Sequence, residues 1–304
     1  MYAAHRSSPL EILGRRGVPV VASLEVACRC VAELQRRGAW LAMDSWAYTP
    51  PGDGGDEESA SEDGRPEALA QALREGRTVL SEPEARALLA AAGLEFGPSF
   101  LARSADDVAD ALRTLGRPVV VKVVSRAILH KSDAGGVVVG VSTEEEAKEA
   151  YRSIQEGARS YGAAHGMDVE TELPVMVVPQ LSTPRAELLV GAYRDPGLGP
   201  VVMLGAGGLG VEALADVSIR VLPVDDEEVR EMLDELRIAP VLAGGRGRSP
   251  VAMEPIVATA RAVCDTMLRW PQVTEVETNP LFVYEDRAAP VDARVVLTPD
   301  AQAV

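Results

Sequence analysis

The stretch from Pro118 to Gly136, PVVVKVVSRAILHKSDAGG, constrains this chain more than any other. Valines at 119, 120, 121, 123 and 124 describe a buried strand, and Lys122 alone interrupts them. An ammonium group is costly inside an apolar strand unless an anion meets it. His130 follows in a short polar turn with Lys131, Ser132, Asp133 and the pair Gly135-Gly136. Backbone amides in such a turn can approach a phosphate. Taken singly, a snorkelling lysine and a surface histidine are the ordinary readings. Together these residues point to phosphate chemistry with His130 near the transferred group.

The rest of the chain alternates helix and strand signals, which predicts an α/β protein. Its 304 residues suffice for two domains or two lobes. Aromatics make up only 4%, so the core must be built from Val, Leu and Ala. Helix starts are marked by the capping boxes Ser81-x-x-Glu84, Ser104-x-x-Asp107 and Thr143-x-x-Glu146, with stops at Gly93, Gly116 and about Gly162. Acidic residues open a helix from Asp225 to Leu236, and Ser249-Pro250 opens another. Strands are expected over 137–141, 175–181, 186–192, 200–204, 273–278, 281–284 and 291–297. Upstream, Val18–Val21 reads as a strand and Ser23 as the cap of a helix bearing Leu24, Ala27, Cys28, Val31 and Leu34, ended by Gly38. One such βα unit cannot bury its own faces and must dock on something. Residues 49–66, TPPGDGGDEESASEDGRP, contain nothing to pack and read as a linker.

Several classes are disfavoured. A formal charge of −16 argues against general nucleic-acid binding but not against a nucleotide held by local amides and lysines. No apolar run approaches about 18 residues, and the N-terminus lacks the apolar core of a signal peptide, so neither membrane nor export is expected. Cys28, Cys30 and Cys264 show no pairing pattern, which fits a reducing cytoplasm. No Cys/His cluster accompanies Cys28-x-Cys30 to make a metal site.

Three further groupings carry chemistry. Met203-Leu-Gly-Ala-Gly-Gly-Leu-Gly-Val-Glu212 follows an apolar strand and could wrap phosphate oxygens, although many glycine-rich loops are simply turns. Glu277 and Asn279 lie two apart on a strand and share a face, and Asp292 is expected on a strand beside them. Two oxygen ligands and a further carboxylate suit magnesium, which keeps nucleotide phosphates among its ligands. A solvated sheet face is the plainer reading of the same charges. Gln180 and Glu187, with Gly191, are expected on two adjacent strands at the lobe boundary, where they could bond an adenine edge or a ribose hydroxyl.

In order, these motifs resemble the ATP-grasp subunit of the ADP-forming acetyl-CoA (acyl-CoA) synthetases, and more distantly the β-subunit of succinyl-CoA synthetase. The resemblance covers roughly residues 75–298. It implies an ATP-grasp fold of two α+β lobes, 67–173 and 174–304, which clamp ATP. Residues 1–47 resemble the last strand and helix of a CoA-ligase domain in fused versions, with 48–66 as the linker. The resemblance further implies that Lys122 contacts nucleotide phosphates, that Gln180 and Glu187 lie at the adenine and ribose end, and that the loop 205–210, with Gly205, Gly207 and Gly208, covers the phosphates. Asn279 and Asp292 match magnesium ligands, and Glu277 the carboxylate beside a phosphorylated histidine. His130 matches the histidine that carries a phosphoryl group to or from ADP, a role suited to a neutral imidazole. Asp216 and Arg220 match family positions without an assigned role. The family also needs a CoA-binding domain and a ligase domain, and this chain has neither in full. It therefore resembles one subunit of a split enzyme whose α-type partner binds CoA and the carboxylic acid. Two other readings differ in chemistry: a nucleotide-sensing module without turnover, and an ATP-grasp ligase joining an acyl phosphate to an amine, which would not need His130.

Overall fold

The computed structural model describes residues 23–41, 65–116, 118–128, 131–167, 172–208, 216–245 and 247–298. The chain divides into a unit Met1–Thr49 and a unit Pro50–Val304. In the first, helix α1 spans Leu24–Leu41. The Ser23 hydroxyl accepts from the Val26 amide at 3.2 Å, the capping expected of it. The helix continues past Gly38 to Leu41, because a single glycine inside a helix costs only about 1 kcal/mol. Leu24 and Leu34 on this helix are 68% and 70% exposed. The strand expected at Val18–Val21 lies outside the described residues, as does nearly all of the linker.

The second unit holds two sheets. Its elements are α2 (Glu67–Arg74), α3 (Glu82–Ala91), β1 (Phe100–Ala102), α4 (Ala105–Leu115), β2 (Val119–Val123), β3 (Val137–Val141), α5 (Glu144–His165) and β4 (Val175–Pro179). There follow β5 (Ala186–Asp195), β6 (Gly199–Ala206), β7 (Val217–Val221), α6 (Asp226–Asp234), α7 (Ala239–Leu242), α8 (Glu254–Arg269), β8 (Val273–Val283), β9 (Ala288–Pro290) and β10 (Arg294–Leu297). A four-stranded sheet has the order β1-β4-β2-β3, and a six-stranded sheet the order β10-β8-β5-β6-β7, with β9 pairing β8. Among the described residues every strand pairing is antiparallel, so the lobes are α+β in layout.

All three capping boxes form, each N3 carboxylate bonding back to its cap. Helix α4 ends at Gly116 as expected, at φ 62°. Helix α5 runs one turn beyond Gly162 and stops where Gly166 takes φ 65°. The last long helix begins at Glu254-Pro255, not at Ser249-Pro250. Either proline suits a first helical turn, and the sequence could not choose between them.

The lobe boundary at 173/174 is corrected by the packing. Strand β4 belongs to the smaller sheet, between β1 and β2, with Val121 opposite Val177. Helices α2 and α3 belong to the larger sheet, where Leu69, Leu88 and Leu89 share a core with Val190, Val263 and Val276. Backbone bonds fix this assignment: Leu80 donates to Val295 and Leu297 donates to Thr78. The smaller core gathers Val108, Val119, Val121, Val123, Ile154 and Val175. The larger lobe thus takes chain from both sides of the smaller one, and β2 lies close to the start of α3.

A charged cluster and its cavity

Glu82 occupies the first turn of α3. Ser81 donates to Glu84 Oε2 from both its amide and its hydroxyl, each at 2.7 Å. That capping leaves Glu82 turned inward, 5% exposed. Lys122 on β2 is the buried lysine of the sequence, 4% exposed, and the anion that meets it is Glu82, at 2.6 Å. Arg86, one turn along α3, donates to Glu82 at 3.0 Å. Lys122 and Arg86 also donate to the Val291 carbonyl, at 2.8 and 2.9 Å. Lys131, in the turn after β2, bridges Glu82 and Asp292, reaching the two Asp292 oxygens at 2.8 and 2.9 Å. Two lysines of the smaller lobe are therefore tied to carboxylates of the larger one.

The electrostatics follow from this packing. Burial works against ionising Glu82, but Lys122, Lys131 and Arg86 outweigh it and hold the carboxyl down at about 2. Burial likewise lowers Lys122, against the pull of Glu82. Burial also opposes the charge on Lys131, yet Asp292 and Glu82 raise its pKa. Asp292 moves up, through burial and then the nearby Glu82 charge. Glu277 moves up through burial, with Glu275 and Asp292 adding to the rise against Arg294. Burial thus pushes up two carboxyls that face one space.

That space is a cavity of about 210 Å³, lined by Glu82, Lys131, Glu277, Asn279 and Asp292, with Ile128 and Arg294 among its walls. Glu277 and Asn279 share a face of β8, as expected. Asp292 does not sit on a paired strand: it lies between β9 and β10, and the residue opposite Glu277 is Arg294. Gly191, opposite Glu277 on β5, would place a Cβ 3.2 Å from the Glu277 Cβ, so its lack of a side chain gives that carboxylate room.

The nucleotide-side expectations are distributed differently. Gln180 follows β4 in the smaller sheet and Glu187 lies on β5 of the larger, so they are not on adjacent strands. Glu187 packs against the glycine-rich segment: its carbonyl accepts from Gly207, and a Cβ on Gly208 would fall 2.3 Å from its Oε2. Gly205 and Gly207 have packing reasons of their own, since a Cβ on either would come within 2.9 Å of backbone, at Asp216 O and at Glu187–Leu188 respectively. Residues 209–215 and His130 lie outside the described residues. The turn after His130 is closed by bonds from Gly136 N to Lys131 O and from Val123 N to Gly136 O, both 2.7 Å. Asp216 accepts from the amides of Arg237 and Ile238, and Arg220 pairs with Glu235, so both serve the packing of the larger lobe.

Glu82 and Arg86 escaped the sequence reading, which placed Lys131 in the turn after His130 without giving it a role. The demand of Lys122 for an anion was the available signal, but nothing in the sequence said which carboxylate would answer it.

A family model described as an ATP-grasp domain matches residues 71–297. The β-subunit of acetate–CoA ligase (ADP-forming) I from Pyrococcus furiosus is 39% identical over 231 residues, 76% of this chain and 97% of that protein. The 4-hydroxybutyrate–CoA ligase (ADP-forming) of Nitrosopumilus maritimus is 30% identical over 275 residues, 90% of this chain but 38% of that longer protein. A solved structure of Ca. Korarchaeum cryptofilum dinucleotide-forming acetyl-coenzyme A synthetase 1 aligns with a TM-score of 0.64 at 32% identity, covering 76% of this chain and 98% of that one. It contains coenzyme A and Mg-AMPPCP, with its phosphohistidine segment pointing towards the nucleotide-binding site.

Proposed function

We infer that this chain, which belongs to the ATP-grasp family as a β-subunit of the ADP-forming acyl-CoA synthetases, supplies the nucleotide site for acid + ATP + CoA ⇌ acyl-CoA + ADP + phosphate. The observation that carries this reading is the meeting of Lys122, Lys131, Glu82 and Asp292 beside a cavity shared with Glu277 and Asn279.

The donor set fits magnesium. Among the described residues no three His, Cys, Asp or Glu side chains form a metal cluster. Magnesium bound with a nucleotide needs only one or two protein oxygens, the phosphates supplying others. Asn279 and Asp292 are the proposed ligands, and Glu277 lines the same cavity. When bound there, the ion would neutralise charge on the transferring phosphoryl group. Lys122 is proposed to face the phosphates, held in place by Glu82 and the Val291 carbonyl. Gln180 and Glu187 are proposed at the adenine and ribose end, with Gly205, Gly207 and Gly208 over the phosphates.

In the proposed step the His130 imidazole attacks the γ-phosphorus of ATP. The new P–N bond replaces the bond to the bridging oxygen, and ADP leaves with that electron pair. Glu277 is proposed to orient the imidazole by accepting its other N–H. The reverse sequence makes ATP. CoA and the carboxylic acid are assigned to an α-type partner, and the compartment is proposed to be cytoplasmic.

The test is labelling with γ-phosphate-tagged ATP and magnesium, with and without the partner subunit. Acid-labile, base-stable label on His130 is expected, absent in His130→Ala while nucleotide binding survives. Full ligase activity of His130→Ala with its partner would overturn the phosphohistidine role.

A further inference from the structure

Lys131 occupies an unusual place. Its ammonium donates to both oxygens of Asp292, at 2.8 and 2.9 Å, and to Glu82, whose side chain is almost wholly buried. It also lines the cavity that holds Glu277 and Asn279. A divalent ion at Asp292 needs the same oxygen lone pairs that Lys131 uses. Lys131 already holds both of those oxygens, and an ammonium and a divalent ion on one buried carboxylate repel each other. Lys122 and Arg86 stay with Glu82 when Lys131 leaves, so Glu82 keeps counter-charges.

We propose that Lys131 is the cation resident at Asp292, and that a divalent ion loads there only by displacing it. This rests on the cation site proposed above. The displacement has a mechanical consequence. Lys131 opens the turn 131–136, and its carbonyl closes that turn through Gly136. The side chain is the turn's ionic tether to the larger lobe. Metal loading therefore loosens the turn that follows His130 in sequence, and tethering and loading alternate. Lys131 is a positioning residue in this scheme, and Asp292 is the group for which the two cations compete.

The test uses the full chain and manganese alone, without nucleotide, with free Mn²⁺ counted by electron paramagnetic resonance. Lys131→Met is expected to bind Mn²⁺ at least about tenfold more tightly than wild type, because a unit positive charge at contact distance has gone. Lys131→Arg keeps that charge and should stay close to wild type. Asp292→Asn should bind several-fold more weakly. If Asp292→Asn weakens binding but Lys131→Met leaves it unchanged or weaker, the competition is wrong and the cation site stands. If Asp292→Asn binds like wild type, the cation site is wrong and the competition with it. Hydrogen exchange supplies a second readout. In wild type, Mn²⁺ should speed exchange in peptides over 131–136 towards the rate of metal-free Lys131→Met. A turn equally protected in all these states would overturn the tether.

Discussion

Glu82 is a buried carboxylate that answers three cations, and its removal tests the cluster most directly. Taking one partner from a buried ionic network leaves the others uncompensated, at a cost of about 3–5 kcal/mol. Glu82→Ala should lower the thermal midpoint by an amount matching that loss, and Glu82→Gln by less, since the amide still accepts hydrogen bonds. The acid limb gives a second check. The carboxyl sits at about 2 in the folded chain against an ordinary 4.5. A depressed folded value contributes stability that is complete above the ordinary value and is lost as pH falls through the folded one. Wild type should therefore lose this contribution between about pH 4.5 and 2, and Glu82→Gln should show a flatter stability profile there. Equal slopes in urea melts across that window would contradict the assignment. The sequence exposed Lys122 as the problem residue because valines flank it on both sides. It could not name Glu82, because 40 residues separate the pair and only the fold of α3 against β2 brings them together.

At the level of elements, most starts and stops were legible because capping chemistry is local. Ser104 accepts from the Asp107 amide at 3.1 Å, and Thr143 from Glu146 at 3.2 Å, as the motifs required. Boundaries failed where a second signal of the same kind lay nearby, as with Gly162 and Gly166, or Pro250 and Pro255. Membership of a sheet was less legible than strand identity. Nothing local to Val175–Pro179 says whether it pairs with β2 behind it or β5 ahead of it. In the glycine-rich segment a proposed phosphate-binding motif coincides with a packing requirement. A methyl group on Gly207 would lie 2.8 Å from the Leu188 carbonyl carbon, and backbone cannot move aside as a side chain can. Gly207→Ala should cost roughly 1–3 kcal/mol through overpacking, read as a lower midpoint in chemical unfolding. A Gly207→Ala protein of wild-type stability that had lost nucleotide affinity would instead give that glycine a purely ligand-facing role.

On the scale of the whole molecule, the two cores explain why the charged cluster sits where it does. The larger lobe takes α2 and α3 from before the smaller lobe and β5 to β10 from after it. Lys122 and Lys131 come from the intervening chain, so a single ion cluster joins three sequence regions. Helix α1 belongs to a different problem. Leu24, Val31 and Leu34 recur on a helix and are all more than half exposed. Leaving a large apolar side chain in water forgoes about 1.5–3 kcal/mol of burial. The match to the Nitrosopumilus maritimus ligase extends over 90% of this chain, against 76% for the separate Pyrococcus furiosus β-subunit. We therefore predict that Leu24→Glu with Leu34→Glu weakens association with the proposed α-type partner by at least about 2 kcal/mol, roughly thirtyfold in Kd. Isothermal titration of the two subunits measures this. Nucleotide affinity of the variant alone should match wild type, because the proposed site residues all lie between Glu82 and Asp292. Undiminished partner binding would remove α1 from the interface, and a parallel loss of nucleotide affinity would mean that α1 supports the ATP-grasp lobes themselves.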